Sequence, residues 1–392
     1  MKLEQKQKLH VVMDGDFNFR DGKAVSNRNH YEIFSKRYTS VFEETVIHCR
    51  VHNVVDVNGK EIEGPGVEVA ALPSVHGIAE LIYWFPKIIQ SFWSIPKNSP
   101  VLLRVPGIFP SIAWIVMMLK GQRYCVEAMA DAAAQFSEGA YRGRLRSFYG
   151  PIWTWLMRKQ CAHASAASYV TREALQRAYP ASRAGYETNY TTLDLGRDKV
   201  VASPRQFTPS SAPLRVVNVA MMQKHLKGQD IILNAVALLD DLDVELWLVG
   251  DGENRLEFER LAERLGLANR VKFLGRLDAG QAVMDVLDEC DLFVLPSRQE
   301  GLPRVLIEAM ARGLPCLSSD LPGSRELLSE EFLVRPNLAS AWADKLAKII
   351  GDRETLSQMS RINIERCQEY VVDHVQERRK KFYEYVKKML VN

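Results

Sequence analysis

The sequence predicts an α/β protein made of two doubly wound domains that face a cleft. Three features carry that expectation. Between residues 214 and 318, short apolar runs alternate with helix-period segments. A looser alternation fills residues 9–170, and a Pro- and Ser-rich stretch, Ser203–Pro213, separates the two. At about 150 residues per domain, 392 residues also suggest two.

The back half reads most clearly. Leu214–Val219 is an apolar run of buried-strand type, and Gln229–Leu239 has helical apolar spacing. Val244–Val249 is a strand, and Glu253–Leu265 is a charged amphipathic helix. Strand Val271–Phe273, helix Gln281–Leu287, strand Leu292–Leu295, helix Pro303–Ala311 and strand Cys316–Ser318 follow. Such alternation means βαβ units and a parallel sheet, Rossmann-like in plan. In the front half the candidate strands are Leu9–Met13, Thr45–Arg50, Val101–Val105, Tyr124–Ala128 and Ala167–Val170. Helical stretches between them predict a second sheet of the same kind. The expected domain limits are 1–205, a linker over 206–213, 214–368, and a terminal helix within 369–392. Glu365–Met389 reads as one long polar helix with a basic end.

With 47% hydrophobic and 25% charged residues, the composition is that of a globular protein. The six cysteines are scattered without a CxxC pair, which indicates free thiols rather than a disulfide framework or a zinc ribbon. Leu9–Met13 is too short for the core of a signal peptide, and Ile108–Leu119 is too short to span a bilayer. The expected location is therefore cytoplasmic. The net charge of +3 divides unevenly: residues 1–205 hold 26 basic and 19 acidic residues, and the remainder holds 25 and 29. The basic half lacks zinc-finger spacing, an RNP-type motif and a continuous basic helix, so no nucleic-acid partner is expected.

Asp291–Cys316 carries the most chemistry. A strand ends near Leu295, and a loop with Glu300 and Gly301 leads to Pro303. Pro303 is expected at the first helical position, where a missing N–H costs nothing. The N–H groups of Arg304 and Val305 then point along the positive end of the helix dipole, a place suited to a diphosphate. Glu308 lies further into that helix, and Gly313 ends it. Two carboxylates beside an anion site suit a ligand with hydroxyls on both sides of its phosphates, which describes a nucleotide sugar.

This segment resembles the family 4 glycosyltransferases of the GT-B fold. Their signature is a Glu, seven residues and a second Glu, and Glu300, Gly301, Pro303, Glu308, Ala309, Gly313 and Pro315 match it. Pro322-Gly323 and Glu326 match the continuation, with Pro322 replacing a Gly. The resemblance covers roughly residues 214–330. It implies that Glu300 contacts the transferred sugar and Glu308 the ribose. It also implies that backbone from Leu302 to Val305 holds the diphosphate.

Asn218–Gly228 resembles the family's first strand and loop of this domain, with Lys227 at the phosphate-binding Lys. Ala220 and Met221 replace the usual Gly and Arg, which removes one expected cation. Val249–Gly252 and Phe273–Gly275 resemble two further turns. The second implies that Gly275 and Arg276 line the nucleobase pocket. Gly250 and Gly252 are no dinucleotide fingerprint, because Arg255 stands where a third Gly belongs.

The front half resembles the family more weakly. Asp14-Gly15-Asp16 follows the first strand and Arg104 ends another, so Asp14, Gly15 and Arg104 are acceptor-side candidates. Glu127 and Asp131 follow the Tyr124 strand, where relatives often carry an active-site His or acid. No metal site is proposed.

Leu81–Trp93 is aromatic and apolar, and Arg142–Lys159 mixes Arg with Trp and Tyr, a composition suited to a lipid headgroup interface. The expected protein is a retaining, metal-independent hexosyltransferase, peripheral at the inner face of the membrane. It needs no cofactor, and its donor is a UDP-sugar. Its acceptor is a lipid-linked glycan or an oligosaccharide in surface polysaccharide assembly. By analogy the terminal helix crosses back to the first domain. Two alternatives remain: a sugar-nucleotide epimerase or hydrolase, which turns over donor without acceptor, and a non-catalytic scaffold, which binds without turnover.

Overall fold

The computed structural model describes residues 8–20, 22–26, 30–53, 59–134, 146–208, 212–223, 225–239, 241–278 and 280–389. Residues 142–145 of the Arg- and Trp-rich segment and 209–211 of the linker lie outside them. The chain forms two units. One comprises Met1–Ala132, Pro151–Tyr190 and Gln376–Asn392, and the other Ala133–Gly150 and Thr191–Val375.

In the first unit the strands are β1 (Lys8–Arg20), β2 (Lys23–Ser26), β3 (Glu44–Asn53), β4 (Lys60–Glu61), β5 (Val67–Leu72), β6 (Val101–Val105), β7 (Cys125–Ala128), β8 (Ala166–Tyr169) and β9 (Tyr186–Asn189). Parallel pairing sets the order β5-β3-β1-β6-β7-β8-β9, while β2 and β4 add antiparallel beside the far end of β1. β6 is buried along its whole length, which explains its apolar sequence, and its one charged residue, Arg104, pairs with Glu127 at 3.2 Å. β2, β4, β5 and β9 were not expected from the sequence.

In the second unit, β10 (Leu214–Val219), β11 (Val244–Val249), β12 (Val271–Gly275), β13 (Leu292–Leu295), β14 (Cys316–Ser319) and β15 (Leu333–Val334) form a parallel sheet ordered β12-β11-β10-β13-β14-β15. Both sheets therefore reverse direction beside their first strand, between β1 and β6 and between β10 and β13. Loops leaving the carboxyl ends of those strands open the crevice where doubly wound sheets bind ligands.

Three expectations are corrected. The second unit takes in Ala133–Gly150 and then runs from Thr191 to Val375, where the expected limits were 214 and 368 after a front domain of 1–205. Arg205 explains part of this, because its guanidinium donates to the carbonyls of Leu287 and Arg312 and its N–H to Ser360 Oγ, all in that unit. The helix expected over Glu365–Met389 is broken. Arg353–Cys367 ends in a single 3₁₀ turn, Gln368–Tyr370, before Val372–Lys388 resumes. Val371 pairs in parallel with Leu195, and the Val372 N–H donates to the Leu195 carbonyl at 2.7 Å, so strand-like pairing interrupts the helical ladder. Finally, Pro303 caps its helix in extended conformation, and Arg304 is the first helical residue.

All six cysteines are buried and unbonded. No helix among the described residues is long and apolar enough to cross a membrane.

Candidate active site

The reversal between β10 and β13 brings two loops together. The loop after β10 runs through the 3₁₀ turn His225–Lys227 to Gly228, which caps the Gln229–Ala237 helix at φ 70°. A Cβ at Gly228 would overlap the carbonyl oxygen of Pro296, in the loop after β13, so only glycine allows this approach. Arg298 then clamps the two loops. Its N–H donates to the Leu226 carbonyl at 2.8 Å, and its guanidinium holds both oxygens of Asp230 at 2.8 and 2.7 Å.

Lys227 and Glu300 meet across this junction. Lys227 Nζ donates to Glu300 Oε1 at 2.7 Å, and Ser297 Oγ donates to the same oxygen at 2.7 Å. The Glu300 side chain is 9% exposed and that of Lys227 34%. An ammonium has three N–H donors, so the pairing leaves two to face an anion.

Gly301, Leu302 and Pro303 carry the chain into the Arg304–Ala311 helix, whose first N–H groups have no intrahelical partner. Gly323 packs its backbone against this turn so closely that a Cβ there would overlap the Gly301 carbonyl oxygen. That contact is the physical basis of the Pro322-Gly323 motif. Arg304 is exposed, Val305 and Glu308 half-buried, and Leu302 and Pro303 buried. The Glu308 carboxyl makes no hydrogen bond among the described residues, while its backbone carbonyl accepts the Arg312 N–H at 3.2 Å. Burial pushes its carboxyl above the usual range, with partial relief from Arg304.

Gly275 ends β12, and its carbonyl accepts the Gly250 N–H at 2.8 Å; Arg276 beside it is exposed. The Val249–Gly252 turn supports the loop after β10, because the Met222 N–H donates to the Asp251 carbonyl at 3.0 Å. Met221 is half-buried there, and the Gln229 amide donates to its carbonyl at 3.3 Å.

The first unit gives its candidates different surroundings. Asp14 Oδ2 accepts the Ile108 N–H at 2.6 Å and Oδ1 the Phe109 N–H at 3.1 Å. Asp14 therefore neutralises the start of the Ile108–Lys120 helix, a stabilising place for an anion. Gly15 sits at a register shift in β1, against the Phe17 ring. Glu127 is 1% exposed. The hydroxyls of Tyr190 and Tyr383 donate to its Oε1 at 2.6 and 2.7 Å, and Arg104 Nε stands 3.2 Å from its Oε2. Burial alone would raise the Glu127 carboxyl, but Arg104, Arg37 and the two hydroxyls outweigh it and hold it below the usual range. This carboxylate is ionised and enclosed, unlike the cleft-facing acid expected. Asp131 is half-buried and accepts the Tyr179 hydroxyl. Sequence reasoning missed Ser297, Arg298, Asp230 and Arg37. Ser297 and Arg298 lay within the quoted motif, but nothing in its spacing marked them as partners of residues 225–230.

Among the described residues, no group of three or more His, Cys, Asp or Glu side chains is placed to hold a metal ion.

Residues 203–366 match the family of group 1 glycosyl transferases. With two Rossmann-like units, the chain is a glycosyltransferase of GT-B fold. Protein CapJ of Staphylococcus aureus is 27% identical over 345 residues, covering 85% of this chain and 84% of CapJ. The lipopolysaccharide core biosynthesis glycosyltransferase LpsE of Rhizobium meliloti is 30% identical over 170 residues, 42% of this chain and 48% of LpsE. The solved structure of Anabaena Alr3699/HepE in complex with UDP-glucose superposes with a TM-score of 0.64 at 16% identity, covering 95% of this chain and 98% of that one.

Proposed function

We propose that the enzyme is a retaining, metal-independent transferase of family 4 that moves a hexose from a UDP-sugar to a lipid-linked glycan in surface polysaccharide assembly. The observation that carries this is the convergence of Lys227, Glu300, Glu308 and the Arg304 helix start at one sheet reversal. Glu308 binds the ribose diol, and its carboxyl, which makes no hydrogen bond among the described residues, has both oxygens for the ligand. The two remaining Lys227 donors and the N–H groups of Arg304 and Val305 hold the diphosphate. Glu300, kept in place by Lys227 and Ser297, meets the sugar hydroxyls. Gly275 and Arg276 flank the base.

The acceptor hydroxyl attacks the anomeric carbon on the face from which the diphosphate departs. Its proton passes to the leaving phosphate oxygen, so catalysis rests on positioning and on charge stabilisation. HepE supports a uridine donor, because its structure holds UDP-glucose. LpsE supports a lipid-borne acceptor, because its name places it in lipopolysaccharide core biosynthesis. The Ile78–Trp93 helix supports contact with a membrane surface. It exposes Ile78, Ile82, Phe85 and Trp93 at helical spacing, and Lys87 is exposed on the same helix. Such an apolar and aromatic stripe beside Lys87 suits a lipid headgroup interface.

A thermal-shift panel of nucleoside diphosphates and their sugars tests the donor, since a ligand of the folded state raises Tm. UDP or its sugars should give the largest shift; a larger shift with another base overturns the uridine assignment. NMR of the product should show the donor's anomeric configuration kept. EDTA should leave the rate within about twofold, because protein groups stabilise the leaving phosphate. Loss of activity with EDTA, restored by Mg²⁺ or Mn²⁺, would overturn metal independence.

A further inference from the structure

Two ion pairs join the loop after β10 to the loop after β13. Lys227 with Glu300 is the one at the site. Arg298 with Asp230 is the other, two parallel hydrogen bonds of 2.8 and 2.7 Å to separate carboxylate oxygens. Arg298 also grips the turn that carries Lys227. Its Nη1 donates to the His225 carbonyl, and its backbone N–H donates to the Leu226 carbonyl at 2.8 Å. Both residues that immediately precede Lys227 are thus tied to Arg298. Asp230 stands three residues after Lys227, and Arg298 two residues before Glu300, so the second pair brackets the first in sequence.

The two pairs differ in what they offer a ligand. The Arg298 side chain is 16% exposed and its fork is filled by Asp230 and the His225 carbonyl, whereas Lys227 is 34% exposed. The Lys227 ammonium sits on a flexible four-carbon stem, so its reach depends on where its backbone is held. The His225–Lys227 turn cannot supply that alone. It is a single 3₁₀ turn, and the bond that closes it, from the Gly228 N–H to the His225 carbonyl, is long at 3.2 Å. The His225 ring adds only a 3.3 Å contact with Glu257. Arg298 therefore makes the shortest and most numerous ties to this turn from outside it.

We infer that Arg298 is a positioning residue: braced by Asp230, it fixes the His225–Lys227 turn so that the Lys227 ammonium is in place for the diphosphate before the donor arrives. This rests on the donor reading above, in which Lys227 holds the diphosphate. On that reading UDP is the departed leaving group, so its affinity reports the preorganisation without acceptor or turnover. Uridine carries the same base and ribose and no phosphate. Calorimetric titration with UDP and NMR titration with uridine, both on the full chain, separate the two, and Tm reports folding.

Lys227→Ala should weaken UDP about tenfold or more, the scale of charge-assisted hydrogen bonds. Arg298→Ala and Asp230→Ala should each weaken UDP about tenfold and leave uridine within about twofold, because only the phosphate cation is misplaced. Adding Arg298→Ala to Lys227→Ala should cost less than about twofold more, since the brace acts through the lysine. Arg298→Lys should bind UDP as weakly as Arg298→Ala, because an ammonium keeps the charge and loses the fork. Should Arg298→Ala fail to fold, Asp230→Ala carries the same comparison. Full UDP affinity in Arg298→Ala beside a weakened Lys227→Ala overturns the positioning role alone, as does full affinity in Arg298→Lys, which would mean that the charge acts on the phosphate directly. Equal losses for UDP and uridine, or losses that multiply in the double variant, overturn it too, because they mark a merely structural role. UDP binding that Lys227→Ala leaves unchanged overturns the donor reading of Lys227 and this role with it, and a wild type without affinity for UDP overturns both.

Discussion

Lys227 Nζ donates a 2.7 Å hydrogen bond to Glu300 Oε1, joining the loop after β10 to the loop after β13. One ion pair thus sets both the cation for a leaving phosphate and the carboxylate for the sugar. Charge on the phosphate grows as the glycosidic bond breaks, so Lys227 contributes more to the transition state than to donor binding. Lys227→Ala should lower kcat by about 10² to 10³, the scale of one preorganised donor, with a smaller change in donor KM. Arg304→Ala should be milder, because Arg304 is exposed. Steady-state kinetics with saturating acceptor check this. A collapse on Arg304→Ala with Lys227→Ala near wild type would move the phosphate cation to Arg304.

Glu308 is half-buried and its carboxyl makes no hydrogen bond among the described residues, which suits a carboxylate reserved for a diol. Glu308→Gln keeps the shape and removes charge-assisted bonds worth ~1.5–3 kcal/mol. Donor KM should rise about tenfold or more. An unchanged KM in a folded variant would take Glu308 out of the site.

Gly323 touches the Gly301 carbonyl, so Gly323→Ala must displace the turn that carries Glu300. Overpacking of this kind costs about 1–3 kcal/mol. Tm should fall and donor KM rise together. Gly351→Ala provides the contrast: its φ is −73° and a Cβ would meet only ordinary contacts, so both quantities should stay near wild type. Equal behaviour of the two variants would remove the role given to Gly323.

His10 Nδ1 and His48 Nε2 lie 2.9 Å apart in the first unit. Burial, aided by Lys8 and Lys120, pushes His10 down to about 4; burial, aided by His10, pushes His48 down to about 3. Unfolded histidine titrates near 6.5, so between these values the unfolded chain binds more protons. Stability from this pair is complete above pH 6.5 and is lost as pH falls through 6.5 toward 4 and below. Histidine ring shifts followed by NMR should show the His10 and His48 rings still neutral at pH 5. Titration of these two rings near 6.5 would contradict the pairing.

The sequence by itself determined the two-sheet plan and the donor segment. β6, β10, β11 and β13 match their expected limits because central parallel strands are largely buried and read as mostly apolar runs, interrupted here only by Arg104, Arg215, Asn218 and Glu245. β5 and β9 escaped notice because each lies at a sheet edge and is partly exposed, so its apolar pattern is diluted. The Glu300–Glu308 spacing was legible because seven intervening residues are local chemistry. Tertiary structure alone decided who meets whom. Asp14 and the Ile108 helix are joined because β1 and β6 flank a sheet reversal, and Lys227 and Glu300 because β10 and β13 do. The same holds for Glu127, which the sequence shows as an acid at a strand end; Arg104 and the hydroxyls of Tyr190 and Tyr383, up to 256 residues away, enclose it. Hydrophobic periodicity records which side of an element is buried. It does not record which distant polar group is buried against it, and that choice appears only once the sheet order is set.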